Sequence, residues 1–476
     1  MKNLVIIAWT LLLFTATGLV APDARAAELQ AGAATSVITP DIGEPIIGGF
    51  VPFPSTHIHD ELHARCLVLD DGETRIAMVV CDLLGIGRNI SDAARDIIAE
   101  KAGIPRERVL ISATHTHSAS SALGKVRWQL GAPLDEYQKF VAKRIADGVI
   151  RAANELRPAE IAFGTAEAPE HVFNRRWSMR PGTMPANPFG TLDLVKMNPP
   201  AGSDNLVEPA GPTDPTVSFL YVREPDGKPI SLYAAYGLHY VGGVGRGHVS
   251  ADYFAIFCRH LSELLEADRQ LPPFVPMMAN GTSGDINNIN FREPRGRKAA
   301  YEQMTYVGED VAEKVYEALG DLTFKRSISL AAQYRELELA PRKPDAAMTK
   351  WMEETLAKGS QGERDLSFIY AGRVKQLSEY PETLSIPLQI LRIGDVCIGT
   401  MPCEVFAEIG LEFKERCPIQ PAFLVELAHG YFGYLPSPRH HKLGGYETWL
   451  GTNRLEEQAS VKMLDALIEM AESVKE

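Results

Sequence analysis

The sequence predicts an α/β fold, a large domain of mixed sheet with flanking helices and with its reactive groups at the carboxyl ends of strands. Three observations carry this. Apolar, β-branched runs alternate with stretches of helical spacing, without an internal repeat. No Pro/Gly/Ser-rich linker divides the chain, so residues 27–476 are expected to form one domain. Several apolar runs open directly onto ionisable clusters, which is where α/β sheets build sites.

The first element is a targeting segment. Lys2 supplies a positive n-region, Leu4 to Val20 an apolar stretch, and Ala24-Arg25-Ala26 a small-residue cleavage site. Residues 1–26 therefore read as a secretory signal peptide, and the protein as periplasmic or secreted. The apolar run is short for a retained anchor, and no Cys lies near it to make a lipoprotein. Removing Lys2, Asp23 and Arg25 takes the net charge from −13 to −14. That balance argues against nucleic acid and against a polybasic membrane-binding face. Six cysteines (66, 81, 258, 397, 403 and 417) show no zinc-like spacing; some could pair after export, and buried free thiols fit equally well.

Further along, Cys66–Leu69 and Ile76–Cys81 flank Asp70-Asp-Gly-Glu and predict a hairpin. Helical spacing covers 91–101, 135–156, 253–266, 302–319, 405–416 and 456–471. Strands are predicted over 109–114, 217–222, 230–235, 274–278, 328–334, 388–393, 396–399 and 423–427.

The strand ends carry the chemistry. The run from Val109 opens onto Ala113-Thr-His115-Thr-His117-Ser118, and residues i and i+2 of a strand share a side, so both imidazoles are expected to enter one site. Other runs open onto His239-Tyr-Val-Gly-Gly, Asn280-Gly-Thr-Ser-Gly-Asp285, Met401-Pro-Cys-Glu404 and His429-Gly-Tyr431-Phe-Gly-Tyr434. One cleft explains these better than five accidents. His115, His239 and Glu404 make the donor set of a catalytic zinc, which takes about three N/O ligands and keeps an open position. Each has a plain alternative: His239 as a core histidine, Glu404 as a carboxylate at a helix start, Tyr434 as a packed aromatic. His440 and His441 read as a polar loop, solvated in preference to lining the mouth of the cleft beside Tyr434, and His57 and His59 as cleft or loop residues.

His115-Thr-His117-Ser, Gly237-Leu-His239 with Ser250-Ala-Asp252-Tyr, Asn280-Gly-Thr-Ser-Gly-Asp285-Ile-Asn287, Met401-Pro-Cys-Glu404, and Tyr434-Leu-Pro-Ser ending in Gly445-Tyr446-Glu447 resemble, in order, the signature blocks of the neutral/alkaline ceramidase family. So do His59-Asp-Glu-Leu-His-Ala-Arg-Cys-Leu-Val-Leu and Asn174-Arg175. The resemblance runs from about Gly32 to Tyr446. It implies His115, His239, Glu404 and Tyr434 as ligands of Zn2+, with His117, Arg175 and Tyr446 catalytic beside the scissile bond and Asn280, Asp285 and Asn287 contacting substrate. It implies hydrolysis of the N-acyl amide of a ceramide-like lipid by zinc-activated water. A small-molecule or lipid amide is the expected partner, transient contact with a membrane surface is left open, and no stable protein partner is inferred.

Two departures qualify the substrate. The family has a serine where this chain has Asn287, and it carries an immunoglobulin-like C-terminal domain, so the catalytic part alone is expected here. A zinc hydrolase acting on another ester, amide or sugar-derived substrate is therefore the alternative. A non-catalytic binding protein is the third reading, and the intact ligand set argues against it.

Overall fold

The computed structural model describes residues 28–124, 130–294 and 296–475, so the expected signal peptide lies outside the described residues. Three sheets organise the chain. The first runs Val109–Ala113, Arg75–Cys81, His63–Asp70, Gln30–Val37 and Arg157–Pro158. The second runs Val275–Asn280, Pro229–Tyr236, Thr216–Arg223 and Glu160–Glu167. The third runs Leu330–Leu339, Leu384–Ile393, Val396–Thr400 and Ala422–Val425.

Each sheet contains one parallel pair, and each pair is joined through a helix. Arg75–Cys81 and Val109–Ala113 flank helix Arg88–Ala102; Pro229–Tyr236 and Val275–Asn280 flank Asp252–Leu264; Val396–Thr400 and Ala422–Val425 flank Ala407–Arg416. A parallel pair requires such a crossover, and its strands are covered on both faces. The continuous apolar runs follow from this: all five residues of Val109–Ala113, for example, are buried. Alternation then divides each strand between two cores. Ile76, Met78 and Val80 join Tyr233, Met277, Ile398 and Phe423 in a core between the three sheets, whereas Ala77, Val79 and Cys81 face the helices.

The carboxyl ends are tied together by backbone hydrogen bonds. Ala113 N–H donates to Leu427 O at 3.2 Å, His429 N–H to Ile111 O at 2.9 Å, and Glu426 N–H to Asn280 O at 3.1 Å. The convergence predicted for the strand ends is thus built by all three sheets.

Most predicted elements appear within a few residues of their expected bounds. Helix Glu136–Asn154 starts where the sequence places it because Asp135 and Gln138 form a reciprocal capping box. The longer elements without a sequence prediction are helices Ala346–Lys358 and Leu366–Ser378 and strands Gln30–Val37 and Glu160–Glu167. Gln30–Val37 is rich in small residues for a reason: a Cβ on Gly32 would meet Ala152 O at 2.1 Å, so the end of helix Glu136–Asn154 can lie against the strand. The helix predicted from Val405 begins at Ala407, because Glu404–Val405 is extended and pairs in parallel with Tyr434–Leu435. All six cysteines are buried free thiols. No described helix is long and apolar enough to cross a membrane.

Candidate metal centre

The second half of the His-x-His motif does not follow from strand alternation. The strand ends at Ala113, and His115 adopts a left-handed backbone conformation with φ of 71°. This turn, rather than the pleat, brings the two rings together. Gly48 makes room beneath them, since a Cβ there would meet His117 O at 2.1 Å.

Three predicted ligands meet at one point. His115 Nε2 stands 3.1 Å from His239 Nε2 and 3.3 Å from Glu404 Oε2, and His239 Nε2 is 3.8 Å from the same carboxylate oxygen. All three side chains are buried. The tautomers follow from their other contacts. His115 Nδ1 faces Leu84 O at 2.6 Å, and His239 Nδ1 faces Ser283 O at 3.1 Å. A carbonyl can only accept, so each Nδ1 carries a proton, and the neutral form of each ring turns an Nε2 lone pair inward. Burial, reinforced by His115 and Arg175, lowers the pKa of His239 well below the ordinary value and keeps that ring neutral.

Glu404 Oε2 is buried and accepts no hydrogen bond, whereas Oε1 accepts from the Tyr431 hydroxyl. With both rings in the neutral Nδ1–H form, two nitrogen lone pairs and a carboxylate oxygen crowd together without a donor among them. Such a cluster calls for a cation. Two donors about 2.0–2.2 Å from one tetrahedral zinc stand about 3.3–3.6 Å apart, the range the three spacings bracket. The residues fit a metal of the zinc type.

His117 comes equally close, with Nε2 3.1 Å from His115 Nε2, and its ring stacks on Tyr240 at 3.6 Å. Tyr434 lies opposite Glu404 in the parallel bridge and is buried, which pushes its pKa well above the ordinary phenol value. Arg175 Cζ sits 5.3 Å over the Tyr434 ring, and Tyr446 meets that ring edge-on at 5.7 Å. His115, His117, Glu404, Tyr431, Tyr434 and Tyr446 share a cavity of about 80 Å³, with Phe50 and Arg373 also in its wall.

Of the expected substrate contacts, none lines this cavity. Asp285 is buried, accepting from Ala407 N–H at 2.9 Å and from the Asn174 amide at 2.7 Å. It joins the start of helix Ala407–Arg416 to the Asn174-Arg175 segment. Asn280 is fully buried, and Asn287 donates to Asn198 Oδ1 at 3.1 Å.

Other expectations are corrected. His440 is buried on the short helix Pro438–Leu443, 3.5 Å from Glu408, rather than solvated. His57 pairs with His248, and His59 stacks on Tyr301 at 3.8 Å beside a separate cavity of about 770 Å³. A second acid-and-histidine group, Glu170, His171 and Asp310, is already occupied by the Lys314 ammonium, which ion-pairs with both acids.

Four neighbours were not assigned from the sequence: Tyr431, Glu447, Ser283 and Glu426. Glu447 accepts from Arg175 Nε at 2.9 Å and from Arg176 at 2.5 Å. Glu426 carried a readable signal, a carboxyl inside the apolar run Phe423–Leu427, since a buried acid demands partners.

No family model matches the sequence. Among solved structures, a neutral ceramidase from Pseudomonas aeruginosa is similar with a TM-score of 0.68 at 17% identity, over 94% of this chain and 74% of that one. A ceramidase complexed with C2 is similar with a TM-score of 0.69 at 16% identity, over 94% of this chain and 75% of that one. The chain has the neutral ceramidase fold.

Proposed function

We propose that residues 27–476 form one zinc-dependent hydrolase domain that cleaves an N-acyl amide bond of a ceramide-like lipid in the periplasm or outside the cell. The observation that carries this is the buried meeting of His115 Nε2, His239 Nε2 and the unsatisfied Glu404 Oε2 at one point. His115, His239, Glu404 and Tyr434 would hold the ion. When bound, zinc supplies Lewis acidity toward an acyl oxygen and a water made nucleophilic near neutral pH.

The chain's own groups supply the rest. His117 Nε2, at the cavity wall, takes a proton from the attacking water and returns it to the leaving amine. Burial raises the pKa of Tyr446, so its hydroxyl stays protonated and can donate to the developing oxyanion. Arg175, clamped by Glu447, places a fixed cation behind Tyr434. A cavity of about 630 Å³ shares Tyr431 with the site and includes Leu123, Leu130, Tyr380, Leu384 and Phe432, apolar surface suited to an acyl chain.

Asn287 supports the alternative that the amide or ester is not ceramide itself, because a carboxamide replaces a small hydroxyl. The test is a panel of N-acylsphingosines, simple N-acyl amides and acyl esters, assayed with chelator and again after zinc is restored. Chelation is expected to abolish hydrolysis and zinc to return it. Activity indifferent to chelation would overturn the proposal, and hydrolysis of esters alone would favour the alternative.

A further inference from the structure

We propose that Glu426, acting with Ser283, is a positioning residue that braces two metal ligands that follow strands of different sheets, His239 and Glu404. The inference rests on reading those two residues as ligands.

Glu426 is fully buried, and both of its oxygens are engaged. Oε1 accepts from the Ser283 hydroxyl at 2.7 Å, and Oε2 accepts from Val405 N–H at 2.5 Å. Each partner touches a ligand. Ser283 Oγ lies 3.2 Å from His239 Nδ1, and Val405 follows Glu404 in the two-residue strand that faces Tyr434. The backbone closes the frame, with Glu426 N–H on Asn280 O and Gly284 N–H on Val405 O at 2.8 Å.

The polarity of this chain matters. Because the Ser283 proton is committed to Glu426, the hydroxyl oxygen offers a lone pair to the Nδ1 proton of His239, leaving Nε2 unprotonated toward the cluster. The same carboxyl fixes the peptide that carries Glu404. Burying a carboxyl is unfavourable unless its oxygens are paired, and no such group is needed merely to fill this space. Holding a ligand that follows a strand of the second sheet against a ligand that follows a strand of the third accounts for its presence.

The test uses metal-free wild type, Ser283→Ala, Glu426→Gln and the double variant, with zinc affinity measured by chelator competition and Co(II) absorption as a probe of ligand geometry. Gln keeps one acceptor oxygen for two donors, so it can satisfy only one of Ser283 and Val405. Each single variant should weaken zinc binding by about 10–100-fold and alter the Co(II) spectrum. The double variant should be weaker than either single by less than their product, since both act in one chain. Circular dichroism reports folding; should Glu426→Gln fail to fold, Ser283→Ala, which leaves the carboxyl in place, decides. Folded variants with wild-type affinity and spectrum would overturn the brace while leaving the metal site standing. A wild type that binds neither metal would overturn both.

Discussion

Arg175 Nε stands 2.9 Å from Glu447 Oε1 with both side chains buried, and the other oxygen of the same carboxylate holds Arg176. Burial raises the pKa of Glu447, but the two guanidiniums outweigh it and set the folded value below 4.5. The unfolded chain therefore binds this proton more readily than the folded one. The stability this carboxylate contributes is full above the unfolded value and is lost as pH falls through the folded one.

Glu447→Ala leaves two buried cations without their acid and is expected to cost about 3–5 kcal/mol. Urea unfolding of wild type and variant, at neutral pH and again in acid below the folded value, checks both points. The difference should shrink in acid. A difference that grows there would contradict the assignment.

His117→Ala separates ligand from proton carrier. The variant is expected to retain zinc and lose about 10²–10⁴ in rate, whereas His115→Ala and His239→Ala should lose the metal as well. Because His117 Nε2 is as near His115 as His239 is, metal analysis of the purified variant is decisive. A metal-free His117→Ala would make it a third imidazole ligand.

Asn287→Ser addresses selectivity. Asn287 donates to Asn198 and lies outside the wall of the small cavity, so the substitution is expected to leave metal content intact and to shift relative kcat/KM toward N-acylsphingosine. Identical profiles for the two proteins across amides and esters would show that this position does not set selectivity.

The parts of this architecture legible in the sequence share one cause. A parallel strand covered on both faces must be apolar throughout and must end in a polar loop, and Val109–Ala113, Pro229–Tyr236 and Val396–Thr400 announce themselves that way. His115, His239 and Glu404 could be singled out because they follow such strands. The left-handed turn at His115 had no local signal, and neither did the extended Glu404, whose conformation is imposed by Tyr434 from thirty residues away. Helix Leu366–Ser378, which brings Arg373 to the cavity, was missed because its buried residues Tyr370, Ala371, Val374 and Leu377 are interleaved with other apolar positions that blur the stripe.

Elemental analysis of the purified protein, paired with its hydrolysis rate, tests the central claim most directly. The account predicts about one zinc per chain, with metal and hydrolysis lost together in Glu404→Ala, because the remaining donors are too few to hold the ion in an open site. A wild-type protein free of metal and fully active on the same substrate would contradict it.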